Sequence, residues 1–176
     1  MAARVVSVVP FDPSWAGHFE AERLALAARL GAQAQIHHIG STAVPGLCAK
    51  PIIDIVVEVP DVAQLDALQD ALRALGYQAR GENGIESRRY FVKGVPQRTH
   101  HLHAFTAGSP HVVCHLALRD WLRRDPEARA TYAATKQRVA AACGGDPHRY
   151  VALKDDAVKV LVASALAASA TGWHGG

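Results

Sequence analysis

Apolar positions along the chain recur with a spacing that changes from segment to segment, and each change predicts an element. Residues 4–9 are β-branched and alternate weakly, which predicts a short strand. Asp12-Pro13 reads as a helix cap followed by proline at the first helical position. Trp15, Phe19, Leu24, Leu26 and Leu30 then form the apolar side of a helix that Gly31 ends. Gln35 to Ile39 predicts a strand, and Gly40 to Lys50 a loop with a brief helical turn interrupted at Pro45-Gly46. Ile52 to Val59, rich in Ile and Val, predicts a central and mostly buried strand. Asp61 is expected to cap a second helix running to Leu75, apolar at 62, 65, 68, 72 and 75, with Gly76 as its stop. Residues 77–80, 88–93 and 98–105 predict shorter strands with turns at 81–84 and 94–96. Beyond them the strand pattern ceases. Ser109-Pro110, Asp125-Pro126 and Asp146-Pro147 repeat the cap-then-proline start and predict helices near 110–123, 127–142 and 148–169. The expected class is α/β (α+β), a mixed sheet flanked by helices with a C-terminal three-helix segment. With no internal repeat or linker, residues 1–170 are expected to form one domain and 171–176 a flexible tail.

Composition narrows this picture little. The 176 residues are 49% hydrophobic and 20% charged, ordinary values for a globular chain. The net charge of +3 is spread among interspersed acids and bases rather than gathered on a stripe, so nucleic acid is not an expected partner. Cys48, Cys114 and Cys143 form no CxxC pair, which argues against a zinc ribbon or a redox dithiol. The N-terminal run lacks the length and cleavage site of a signal peptide. The apolar stretch from Val158 to Ala170 is too short and too amphipathic to span a bilayer. A cytoplasmic protein without a membrane partner is the expectation.

The chemistry gathers between two strands, in His37-His38-Ile39-Gly40-Ser41-Thr42-Ala43-Val44-Pro45-Gly46-Leu47-Cys48-Ala49-Lys50-Pro51-Ile52-Ile53-Asp54. Glycine at 40 permits close approach of a ligand to the backbone. Free N–H groups of the following turn can receive phosphate oxygens, with the hydroxyls of Ser41 and Thr42 beside them. Asp54, near the start of the next strand, can hold a divalent metal next to that phosphate. The alternative is a Gly-Ser turn with a capping serine and a structural aspartate. His38 is expected to face the cleft and His37 the core.

The loop resembles the Gly-Ser…Asp signature of the DNA polymerase beta-like nucleotidyltransferase superfamily, and HIGSTAVPGLCAKPIIDI is similar to the GrpB family within it. VVPFDPSWAGHFEAE, RTHHLH, LRDWLRRDPEARATYAATK and YVALKDDAV extend the resemblance over most of residues 5–160. It implies a nucleotidyltransferase fold and metal-dependent transfer of a nucleoside monophosphate from a nucleoside triphosphate to a small-molecule acceptor. The alternative is a catalytically inactive nucleotide- or metabolite-binding module, which would sense a ligand or assist a partner protein. The superfamily usually carries a second carboxylate two residues after the first; here that position is Val56. Glu58 shares the face but lies about 13 Å further along an extended strand.

His101 and His103 fall on one face of a strand, and beside Asp54 they would complete a metal site for magnesium, manganese or zinc, the nitrogen donors favouring zinc, manganese or nickel over magnesium alone. Contact with phosphate or a part in proton transfer is the other reading. Lys50, Arg98 and Arg119 are the expected anion-binding cations, with Arg89, Arg123, Lys136 and Lys154 as further basic positions. Trp121, Tyr132 and Tyr150 are expected to fill the core of the helical segment.

Overall fold

The computed structural model describes residues 7–171. Five strands form one mixed sheet: β1 (Gln35–Ile39), β2 (Ile53–Val59), β3 (Tyr77–Ala79), β4 (Arg89–Lys93) and β5 (His100–Thr106), in the spatial order β1-β2-β5-β4-β3. Only the central β2–β5 pair is parallel, with Asp54 opposite His101 and Val56 opposite His103. The others run antiparallel. The helices are α1 (Ser14–Leu30), α2 (Gln69–Ala74), α3 (Pro110–Arg124), α4 (Pro126–Ala142) and α5 (Pro147–Ala170).

The alternation of β2 divides the molecule into two layers. Ile53, Ile55, Val57 and Val59 point to one face and bury against α1 residues Trp15, Leu26 and Leu30, together with Leu65 and Leu72. Asp54, Val56 and Glu58 point to the other. There Val56 packs with Ile39, Phe105 and Val112, the last from α3. A separate apolar cluster joins Val44 and Leu47 of the β1–β2 loop to Leu122, Ala128 and Tyr132 of the helical tail. The loop is therefore fixed from the tail side and the strands from the α1 side.

The sequence signals account for most boundaries. Gly31 ends α1 at φ 84°, in the left-handed region. Asp125 and Asp146 each accept two backbone N–H bonds at the starts of α4 and α5. Two expectations change. The helix expected from Asp61 to Leu75 is broken into a 3-10 segment, Val62–Asp66, and the short α2, although Asp61 does cap it by accepting from the Ala63 N–H. Of the strand expected over residues 4–9, positions 4–6 lie outside the described residues, and Val9 makes an isolated antiparallel bridge to Ala49. Residues 172–176 of the expected tail also lie outside. Among the described residues no helix is long and apolar enough to cross a membrane.

One buried ion pair ties the α1 layer to the sheet. Lys93 Nζ on β4 donates to both carboxylate oxygens of Glu22 on α1, at 3.0 and 2.8 Å, and the Glu22 side chain is 9% exposed. His100 Nε2 lies 3.9 Å from the same carboxylate. Removing one partner of a buried pair leaves the other charge uncompensated. Glu22→Gln is expected to lower unfolding free energy by about 2 kcal/mol in urea melts, whereas Asp70→Asn, which breaks an exposed pair with Arg73, should change it by less than about 0.5 kcal/mol.

Candidate functional site

Gly40 stands at the turn from β1 into the 3-10 segment Ser41–Ala43, with φ 70°. Its neighbour across the sheet explains why glycine is needed. A side-chain carbon here would lie 2.9 Å from Asp54 Oδ2. Glycine lets the carboxylate of Asp54 come against the loop backbone.

Asp54 is held on its other side by β5. Its Oδ1 lies 3.1 Å from His101 Nδ1, a contact that the parallel register dictates by placing the two residues opposite one another. About a third of the Asp54 side chain remains exposed. Burial works to raise its pKa, but the hydrogen bond to His101 and the electrostatic influence of His101, His103 and Lys154 outweigh it and hold the carboxyl at about 2. Asp54 is an anion throughout the neutral range.

His103 projects from the same face two residues on. Its Nδ1 lies 3.3 Å from the Arg88 guanidinium, and its ring meets Tyr90 and, at 5.7 Å, His115 of α3. Burial pulls its pKa down to about 3, with Asp54 opposing and the charges of His115 and Arg88 assisting. His103 is neutral.

The resemblance implies a divalent metal, and the donor set tests it. Among the described residues no three His, Cys, Asp or Glu side chains gather so as to hold an ion. Asp54 and His101 turn their nearest atoms toward each other, and the Nδ1 of His103 faces a guanidinium. Val56, opposite His103, packs with the core. The trio Asp54, His101 and His103 does not fit a metal centre built from the protein alone.

The other candidates occupy distinct positions. Thr42 is buried and its Oγ1 lies 2.9 Å from His38 Nε2, so its hydroxyl is turned from the loop's open side toward α1. Ser41 stays partly exposed. His38 itself points to the α1 layer, stacked 4.7 Å from Phe19, and burial lowers its pKa to about 4. The expected orientation of the histidine pair is reversed: His37 shares the face of Asp54 and lies 3.2 Å from Glu58 Oε1. The reason is register, since Ile39 pairs with Asp54 and β1 alternates back from there. Arg119 donates to the His38 carbonyl oxygen and to Asp120. Arg98 lies in the turn before β5, half-buried. Arg89 is on the α1 layer, paired with Asp66.

Lys50 of the β1–β2 loop and two lysines of the helical tail gather on two tyrosine rings. Lys50 Nζ sits 3.9 Å above the Tyr150 ring, and Lys154 Nζ lies 5.9 Å from the same ring. Lys136, 2% exposed, donates to the Cys48 carbonyl oxygen at 2.7 Å and lies 5.4 Å from the Tyr132 ring. Burial and the charge of Lys154 lower the Lys136 pKa to about 7, while Cys48 and Asp54 oppose the shift. For Lys154 the order is reversed, with Tyr132, Tyr150 and Asp54 overcoming burial and raising its pKa. Tyr132 and Tyr150 are thus platforms for lysines as well as core residues. Both stand four residues before a lysine, in YAATK and YVALK, a one-turn spacing that the sequence displays openly.

The profile of the family described as GrpB protein matches residues 5–164. The chain is 39% identical over 157 residues to the UPF0157 protein YqkA of Bacillus subtilis (strain 168), covering 89% of this chain and 46% of that protein, so it spans less than half of that relative's length. The crystal structure of conserved protein GrpB from Enterococcus faecalis superposes with a TM-score of 0.86 at 38% identity, over 91% of this chain and 97% of that one. Terminal uridylyl transferase 4 from Trypanosoma brucei, solved with bound dUTP, gives a TM-score of 0.53 at 14% identity over 77% of this chain and 47% of its own. That likeness establishes a nucleotidyltransferase fold.

The Gly40–Asp54 contact yields a test. Gly40→Ala is expected to lose about 2 kcal/mol of stability, from the positive φ and from the collision with the carboxylate together. In the Gly40→Ala/Asp54→Ala double variant the 2.9 Å collision with Oδ2 is removed and only the tight 3.3 Å contact to Cβ remains, so a double-mutant cycle in urea should show a coupling of about 1 kcal/mol.

Proposed function

The chain belongs to the GrpB family, and from its fold and the geometry of the cleft we propose that it binds a nucleoside triphosphate by the phosphates and transfers the nucleoside monophosphate to a small hydroxyl, amine or phosphate acceptor, releasing pyrophosphate. The observation that carries this reading is the convergence of Lys50, Lys136 and Lys154 on two tyrosine rings, together with the close approach of Asp54 to the Gly40 turn. Lys136 and Lys154 both feel the charge of Asp54, and with Lys50 on the same tyrosine as Lys154 they suit a highly charged anion, each contact being stronger in a low-dielectric setting. The β- and γ-phosphates would lie against Lys50 and Lys154, with the buried Lys136 adding its charge from behind the loop, and together they neutralise the charge that grows as pyrophosphate leaves. Ser41 is the loop hydroxyl still turned outward.

His101 is the proton acceptor in this reading. Its Nδ1 faces an ionised carboxylate and therefore carries the proton, which leaves Nε2 as the lone pair. Nε2 is buried and has no hydrogen-bond partner among the described residues. The acceptor's proton passes to it as the acceptor oxygen or nitrogen attacks the α-phosphorus and the bond to pyrophosphate breaks. Asp54, held near pKa 2, is too weak a base for this task and stabilises the imidazolium formed. The divalent ion belongs to the substrate, carried on the triphosphate.

A second reading, a module that binds nucleotide without turnover, is favoured by Val56 at the position of the usual second carboxylate. Thermal shift with each nucleoside triphosphate and magnesium or manganese, followed by pyrophosphate release over an acceptor panel, separates the two. Transfer predicts both signals, and their joint loss in Lys154→Met. Binding with no pyrophosphate over the whole panel selects the module. Absence of any shift defeats both.

Lys136 adds a pH dependence. Its pKa near 7 in the free protein means that its charge is present below that value and fades above it. Triphosphate affinity in the wild type should therefore fall, relative to Lys136→Arg, as pH rises above about 7. The ligand's own terminal phosphate gains charge over the same interval and acts equally on both proteins, so the comparison isolates the lysine.

A further inference from the structure

His101 and His103 stand two residues apart on one face of β5, yet opposite kinds of group meet their Nδ1 atoms. A carboxylate, which can only accept, faces His101 at 3.1 Å. A guanidinium, which can only donate, faces His103 at 3.3 Å. A neutral imidazole has one N–H and one lone pair, so the two neighbours select opposite tautomers: Nδ1–H in His101 and Nε2–H in His103.

The guanidinium is built into place. Arg88 is 6% exposed, with Nε donating to the Glu82 carbonyl oxygen at 3.1 Å and Nη2 to that of Asn83 at 2.8 Å, while its plane lies 4.9 Å from the Tyr90 ring. The turn that offers those carbonyls is itself held, with Ser87 N–H donating to Glu82 Oε1 at 2.7 Å and Asn83 and Ser87 both at positive φ. A metal at His103 Nε2 would need the proton moved to Nδ1, where it would meet the donors of Arg88.

We infer that Arg88 is a positioning residue that locks His103 as its Nε2–H tautomer, making His103 a neutral hydrogen-bond donor to a phosphate oxygen in the cleft and removing it from any metal's ligand set. The donor's ligand rests on the triphosphate reading above; the lock itself does not. A donor two residues beyond the proton-accepting His101 would hold the phosphate chain beside the base without a second negative charge on the strand.

The test has two independent arms. Long-range 15N–1H spectra of the full-length labelled protein should show His103 Nδ1 unprotonated and Nε2 protonated, the reverse of His101, with the His103 pattern becoming mixed in Arg88→Ala. His103 protonated at Nδ1 in the wild type, or its Nε2 moving to a metal-bound position on addition of zinc, overturns the lock whatever nucleotides do. In the second arm inorganic triphosphate is titrated into three proteins. His103→Gln keeps an N–H donor and should bind within about 3-fold of wild type, while His103→Asp, a better metal ligand that cannot donate, should bind about 10-fold more weakly. Retention by Asp with loss by Gln overturns the donor role. Triphosphate failing to bind the wild type removes the phosphate-donor role along with the triphosphate reading, and leaves the tautomer lock to the first arm.

Discussion

The irregular loop between β1 and β2 is partly buried, and buried backbone must find partners for its carbonyl oxygens. Val44 and Leu47, its apolar anchors, are fully excluded from solvent. The helical tail supplies cations instead: Arg119 donates to the His38 oxygen, Arg123 to that of Ala43, and Lys136 to that of Cys48. Two helices, α3 and α4, thus hold the loop and the strand end before it at three points. Each is a charge-assisted bond, stronger than a neutral one and costly to leave unmade. The tail is therefore part of the site rather than an appendage to the sheet.

Those contacts also concentrate positive charge. Cations drawn in to satisfy carbonyls lie near one another, and each lowers the cost of placing an anion between them. The effect is visible in Lys136, whose pKa falls to about 7 under burial and the charge of Lys154, and in Arg123, lowered by burial and by Arg119. Asp54 opposes this field from the sheet. Gly40 and His101 fix it from either side, so the carboxylate's place is set by sterics as much as by charge.

Much of the scaffold was legible because its signals are local. Proline after a capping residue, glycine at positive φ and the Ile/Val run of β2 each act within a few residues, and the structure follows them. The second helix was misread because an apolar period says nothing of where the chain must bend; a 3-10 segment and a short helix satisfy the same pattern over Val62, Leu65, Leu68 and Leu72. His37 and His38 were misassigned because alternation fixes that they differ and not which faces the cleft. That choice belongs to the pairing of Ile39 with Asp54, which is long-range. Arg88 carries no local signal for the same reason: fifteen residues of sequence separate it from His103, and the antiparallel β4–β5 pairing brings them together. The lysine–tyrosine pairs were different. Their spacing was plain, but aromatic residues on helices ordinarily mean core.

Val56 acquires a meaning once these pieces are set together. A second carboxylate there would point into the face already occupied by Ile39, Phe105 and Val112, and would sit opposite His103. An aspartate at that place would draw the histidine's proton toward itself and compete with the Nδ1 bond to Arg88. An apolar residue keeps the strand's second position dry and leaves the imidazole answering to the guanidinium alone. The face that bears one aspartate, one apolar residue and two oppositely tautomeric histidines is then a consistent arrangement, in which hydrogen-bond direction performs the ordering that paired acids perform on the more familiar version of this sheet.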